Sequence, residues 1–261
     1  WLGRLLVGLR DRDLLERTSM SAAAPVTIML VHGACHASWC WYRVVPLLRQ
    51  AGHRVVTPDL PGRGDRGKPG WRWTLKAYAD AIVDDARQAG GPVIAVGHSM
   101  GGPVISAAAE AAPDLFERLV YVSAFLPVDG DSLASIAAMD KDSDLPGASS
   151  VAWLKGVVTI NADRLKPVYY GDCSDADLDW VRPRLVPESL RPSITKVRLG
   201  DNFQSVPRSY IRCTQDRGLS IQMQDRLIAR QPCQHVATLE ASHSPFLSMP
   251  DQFVKALLSV I

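Results

Sequence analysis

From Pro25 onward the chain alternates short apolar runs with stretches of helical period, and few folds accommodate that order. The runs at 26–31 and 92–96 are apolar at nearly every position instead of every second one, as strands buried on both faces are. The stretch 74–89 carries Leu75, Tyr78, Ile82 and Ala86 along one side, as a helix packed on a sheet does. Read this way, strands fall at 26–31, 55–58, 92–96, 119–122, 210–213 and 236–239, and helices at 38–51, 74–89, 103–112, 220–230 and 251–260. The expected class is α/β, with a six-stranded, mostly parallel sheet covered by helices on both faces.

The alternation fails between Leu126 and Val206, where Pro, Gly and Asp are frequent and helical stretches are short, as at 152–158 and 175–181. About 80 residues without structure would be unusual inside a compact domain. Residues 128–206 are therefore expected to form a helical cap, inserted after the fourth strand into a core made of 20–127 and 207–261. Residues 1–19 stand apart as an N-terminal extension. Leu2, Leu5, Leu6 and Leu9 share a helical face, and Arg10-Asp11-Arg12-Asp13 follows at once. The segment reads either as an amphipathic helix packing on the domain or a neighbour, or as sequence upstream of a start at Met20.

Charge sets the kind of partner. With 29 basic and 27 acidic residues interspersed, for a net charge of +2, nothing points to nucleic acid or a membrane surface, and a small-molecule partner is expected. No run is long and apolar enough for a membrane span, and no secretory leader is evident. Five cysteines (Cys35, Cys40, Cys173, Cys213 and Cys233) are odd in number and lack paired spacing. They read as reduced thiols of a cytoplasmic protein, not as a disulfide frame or a zinc site. A monomer or a homodimer is expected.

Chemistry enters at Gly97-His98-Ser99-Met100-Gly101. This Gly-x-Ser-x-Gly pentad lies where the third strand turns into a helix, a corner that strains the serine backbone and exposes its hydroxyl. A serine hydroxyl is a weak nucleophile near neutral pH, so it needs a base, an orienter for that base and donors for an oxyanion. His243 follows the last strand and Asp216 the one before, so both fall beyond the carboxyl ends of parallel strands, on the edge that carries Ser99. The competing bases are His32, His36, His53, His98 and His235; His98 adjoins the serine, but its side chain should point away from it. Asp129 and Asp131, past the fourth strand, compete with Asp216 for the acid role. The Met100 amide follows the nucleophile, and Ala34, in the loop His32-Gly33-Ala34-Cys35-His36, is the expected second donor.

Together these residues resemble the α/β-hydrolase superfamily, and more narrowly the plant methylesterase and hydroxynitrile lyase group with its bacterial esterase relatives. The segments that carry the likeness are 31–41, the serine motif at 97–102, 210–216 and Arg191-Pro192-Ser193. The resemblance implies an α/β-hydrolase fold, a Ser99, His243 and Asp216 triad, and an oxyanion hole of the Ala34 and Met100 amides. The lyase branch carries a threonine after the first-motif histidine and a lysine after the catalytic histidine; here those places hold Gly33 and Ser244. The esterase branch is therefore expected: a serine carboxylic ester hydrolase without cofactor or metal, acting on a small to medium, partly apolar ester. His32, Gly33, Phe125 and Trp153 are the expected substrate-binding residues. Alternatives are a lactonase, thioesterase or polyketide-tailoring hydrolase, a lyase of carbon–carbon bonds, and a non-catalytic ligand-binding receptor.

Overall fold

The structure, a computed structural model, describes residues 25–261, so the expected extension at 1–19 lies outside the described residues. Nine strands are present among them: β1 (Thr27–Val31), β2 (Arg54–Val56), β3 (Val93–His98), β4 (Phe116–Val122), β5 (Ser149–Ala152), β6 (Val157–Ile160), β7 (Glu188–Ser189), β8 (Arg208–Cys213) and β9 (His235–Leu239). Six of them form one sheet in the order β2-β1-β3-β4-β8-β9, parallel at every pairing. Side chains alternate between faces along each strand, which divides the core in two. Met29, Val31, Ala95, Leu119 and Tyr121 pack under the helices Leu75–Gln88, Gly101–Ala111 and Ile221–Arg230. Ile28, Leu30, Ile94, Val96, Val120 and Val122 pack on the other face, under Val44–Gln50 and Pro250–Leu258. Both faces are covered, which accounts for strands that are apolar throughout.

The segment 38–51 is not one helix. A 3-10 turn over Ser38–Trp41 precedes an α-helix over Val44–Gln50. Pro46 is the reason, because its ring would strike the carbonyl of residue 42 in a continuous helix, so the helix begins where proline falls in its first turn.

The region between β4 and β8 also departs from an all-helical cap. It carries helices such as Leu133–Met139 and Asp175–Val181, the latter started by a capping box between Ser174 and Asp177. Strands β5, β6 and β7 add a three-stranded antiparallel sheet. The stretch 152–158, read as helix, is instead the hairpin between β5 and β6, with a short turn at Trp153–Lys155. Gly156 takes φ +64°, a left-handed conformation that stops helix growth, and the β-branched Val157, Val158, Thr159 and Ile160 continue as a strand.

Candidate active site

Ser99 stands at the corner between β3 and the helix Gly101–Ala111 with φ +52°, a left-handed conformation costly for a non-glycine residue. Two glycines make the corner possible. A Cβ on Gly97 would lie 2.8 Å from the Gly101 carbonyl, and one on Gly101 would lie 2.7 Å from the Val31 carbonyl oxygen. The corner is also tied from both sides. Its amide donates to the Val122 carbonyl at 3.3 Å, and its carbonyl accepts from Gly102 and Phe125 at 3.1 and 3.2 Å.

His243 lies beyond β9 and Asp216 beyond β8, and the His243 Nδ1–H donates to Asp216 Oδ2 at 2.7 Å. That bond turns Nε2 to the opposite side of the ring. Asp216 Oδ1 accepts from the Gly218 and Leu219 amides at 2.7 and 3.0 Å, and its Oδ2 also accepts from Ser123 Oγ, so the carboxylate is held at both oxygens. Ser123 follows β4 at φ +41° and did not stand out in the sequence. Asp129 and Asp131, the rival acids, lie elsewhere: Asp129 accepts from the Leu199 amide, and Asp131 pairs with Arg230.

Two other histidines near the site, His98 and His36, hold backbone in place. His98 Nε2–H donates to the His243 carbonyl at 2.8 Å, and the two rings pack 4.7 Å apart. His36 Nδ1–H donates to the Ala34 carbonyl at 2.6 Å, which leaves Nε2 to accept from Tyr170. Burial, then the neighbouring His243 and His36, hold His98 well below the usual imidazole range; burial brings His36 down to about 4. Neither carries charge beside His243 at neutral pH.

A cavity of about 190 Å³ opens at this edge, lined by Ser99, His243, Ala34, His98 and Phe125 from the core, and by Leu133, Leu145, Val151, Val158, Ile160 and Tyr169 from the cap. Its wall is mostly apolar, with Ser149, Glu188 and Ser193 adding polar groups to those of Ser99 and the histidines. Of the expected substrate-binding residues, Phe125 lies on it and the other three do not. Trp153 is 61 % exposed and packs on Trp71 outside the cap, because the turn before Gly156 directs it outward. His32 is buried: its Nδ1–H donates to the Gly33 carbonyl and its Nε2 accepts from the Leu60 amide, which joins the loops after β1 and β2. Gly33 keeps space clear, since a Cβ there would lie 2.8 Å from His98 Nδ1 and 3.0 Å from the Ser99 Cβ.

The loop holding Ala34 has a support that sequence alone did not reveal. Glu188, in β7 of the cap, accepts from the Cys35 amide at 3.2 Å and from Tyr78 Oη at 2.7 Å, and forms an ion pair with Arg63, whose Nε–H donates to the His36 carbonyl at 2.9 Å. Both charged side chains are buried. Burial, then the charge of Glu188, pushes the Cys35 thiol up to about 12, so it stays protonated. Among the described residues, neither the Ala34 nor the Met100 amide donates to a protein acceptor. Among the same residues, no group of three or more His, Cys, Asp or Glu side chains is placed to hold a metal ion, and no helix is long and apolar enough to cross a membrane.

Comparison with known proteins agrees with this architecture. The model of the Alpha/beta hydrolase family matches residues 28–256. Methylesterase 9 of Arabidopsis thaliana is 28% identical over 247 residues, covering 89% of this chain and 96% of that protein. Methylesterase 2 of the same plant is 30% identical over 252 residues, covering 89% and 94%. Among solved structures, a pyrethroid hydrolase from Sphingobium faniae superposes with a TM-score of 0.78 at 27% identity, covering 90% of this chain and 96% of the other.

Proposed function

Because this chain belongs to the alpha/beta hydrolase family and is a hydrolase of the carboxylesterase type, we propose that it cleaves a small to medium, partly apolar carboxylic ester with Ser99 as nucleophile, His243 as base and Asp216 as orienter. The observation that carries this reading is the His243 Nδ1–Asp216 bond of 2.7 Å at the cavity that Ser99 lines, which leaves the imidazole Nε2 free to take the serine proton. Ser99 Oγ attacks the ester carbonyl as Nε2 accepts its proton, and the tetrahedral oxyanion takes hydrogen bonds from the Ala34 and Met100 amides. The C–O bond to the alcohol then breaks, and the alcohol leaves with the proton from His243. Water, deprotonated by the same imidazole, hydrolyses the acyl-serine, releases the acid and restores the enzyme. No cofactor enters any step.

The methylesterase names of the relatives support a compact alcohol such as methanol, and the apolar wall favours an acid without a second charge. The Gly33 contacts disfavour the lyase reading, since a threonine there would press on both His98 and Ser99. The five cysteines are free, in keeping with a reducing compartment such as the cytoplasm. The test is a fluorophosphonate adduct mapped to Ser99, with p-nitrophenyl acetate turnover of wild type set against Ser99→Ala. Loss of the serine is expected to lower turnover by about 10⁴- to 10⁶-fold. Equal turnover of the two proteins, or a wild type without activity as a ligand-binding receptor would be, refutes the reading. A panel of methyl, aryl, thio- and lactone esters then separates it from the lactonase and thioesterase alternatives.

A further inference from the structure

Exposed apolar side chains are ordinary when scattered and meaningful when they gather. Seven large ones stand exposed among the described residues, and five of them (Trp71, Val151, Trp153, Leu154 and Ile194) come from three segments that meet at one side of the cap. Trp71 Nε1–H donates to the Trp153 carbonyl at 2.8 Å, and the two rings lie 6.3 Å apart. Arg191 Nη1 donates to the Trp71 carbonyl at 3.3 Å, which brings in the helix Leu190–Ile194, and the Leu190 amide donates to the Gly156 carbonyl at 2.8 Å. The patch is stiff. A Cβ on Gly156 would lie 2.5 Å from the Trp71 ring, so the indole rests on the backbone of the turn that presents Trp153 and Leu154. Leu154, at the tip, is 100 % exposed.

Along the segments that carry these side chains, the charge has one sign. Lys68, Arg72, Lys155 and Arg191 flank them in sequence, and no Asp or Glu occurs at 66–73, 149–162 or 189–198, although the whole chain has a net charge of only +2. The patch also adjoins the cavity, because Val151 and Ser193 line the cavity wall.

We infer that this patch seats the protein on an anionic lipid surface, with Trp153 and Leu154 entering the boundary between headgroups and acyl chains, and Lys68, Arg72, Lys155 and Arg191 among the headgroups. An indole and a leucine on an exposed turn, flanked by cations in sequence, is the composition that lies in such an interface. A second copy fits worse, since a two-fold contact would set the same cations against each other. The seat places the cavity wall beside the reservoir in which an apolar ester dissolves.

Vesicle sedimentation tests this with the full chain and needs no activity, so it stands or falls apart from the esterase reading. Vesicles of phosphatidylcholine with phosphatidylglycerol are expected to bind the protein more tightly than phosphatidylcholine alone. Leu154→Ser is expected to weaken that binding about tenfold by removing the inserted side chain. Lys155→Glu is expected to weaken it by a similar factor through charge. Neither variant should change p-nitrophenyl acetate turnover, which reports an intact fold. Absence of binding, equal binding to both vesicle types, or binding that survives both substitutions overturns the proposal. So does sedimentation velocity that reveals a dimer dissociated by Leu154→Ser, which assigns the patch to a second copy.

Discussion

The carboxyl edge of the parallel sheet and the cap above it are built by different means. At the edge, backbone geometry sets positions: Ser99 is held at φ +52° by glycines with no room for a side chain, and the Asp216 carboxylate is held by two amides of its own loop. In the cap, side chains that are distant in sequence set positions, above all Glu188, which reaches Arg63, Tyr78 and the Cys35 amide. The edge is thus suited to chemistry that tolerates little displacement, and the cap to fitting different substrates on one scaffold.

The sharpest way to break this division is Asp216→Asn. The amide keeps the shape, but its NH₂ group faces the imidazole, favouring the tautomer with hydrogen on Nε2 and leaving no base toward Ser99. Turnover of a soluble aryl ester is expected to fall by about 10⁴-fold, the size of the loss that this substitution brings to an acid of this role elsewhere, with little change in KM or thermal midpoint. A large drop in the midpoint would mean that the carboxylate acts mainly as a structural anchor for its loop.

What was legible in the sequence follows the same line. The six core strands could be read because burial on both faces makes them apolar throughout, and Ser99, Asp216 and His243 because each lies directly beyond a strand. The sites that escaped reading depend on contacts between remote residues. Glu188 and Arg63 are 125 positions apart, and nothing local marks either as a partner. His98 supports the His243 carbonyl, a bond visible only once β3 and the loop after β9 stand side by side. Trp153, an apolar residue of the cap, is expected at the cavity, whereas the turn closed by the left-handed Gly156 presents it to the outside. The short cap strands were missed because 152–158 mixes residues that suit a helix with others that suit a strand.

Arg63→Met probes the link between the two regions. It leaves Glu188 charged and buried without its ion-pair partner, a loss of about 3 to 5 kcal/mol, and the thermal midpoint is expected to fall on the order of 10 °C for a chain of this size. The double variant Arg63→Met with Glu188→Met removes both charges and is expected to regain part of that stability, the remainder being lost with the bonds to Tyr78, Cys35 and His36. Its turnover should stay low even so, because the Cys35 amide and the His36 carbonyl, both directly after Ala34 in the same loop, have lost their partners. Calorimetry and steady-state kinetics on the same samples separate the effects. If activity returns with stability, the ion pair serves the fold and not the oxyanion loop.

The smallest effect is expected at the cap wall. Leu133, in the helix Leu133–Met139, lines the cavity but belongs to none of the bonds around Ser99, His243 or Asp216. Leu133→Ala removes apolar contact with the acyl group and leaves the reacting atoms in place. The lost contact is worth about 1 to 3 kcal/mol for a substrate that fills the pocket and little for one that does not reach the wall. The kcat/KM for p-nitrophenyl butyrate is therefore expected to fall about tenfold relative to that for the acetate, mostly through KM. Equal losses on both esters, carried by kcat, would mean that the cap helps to hold the catalytic geometry, and the division between a rigid edge and an adaptable cap would fail at this residue.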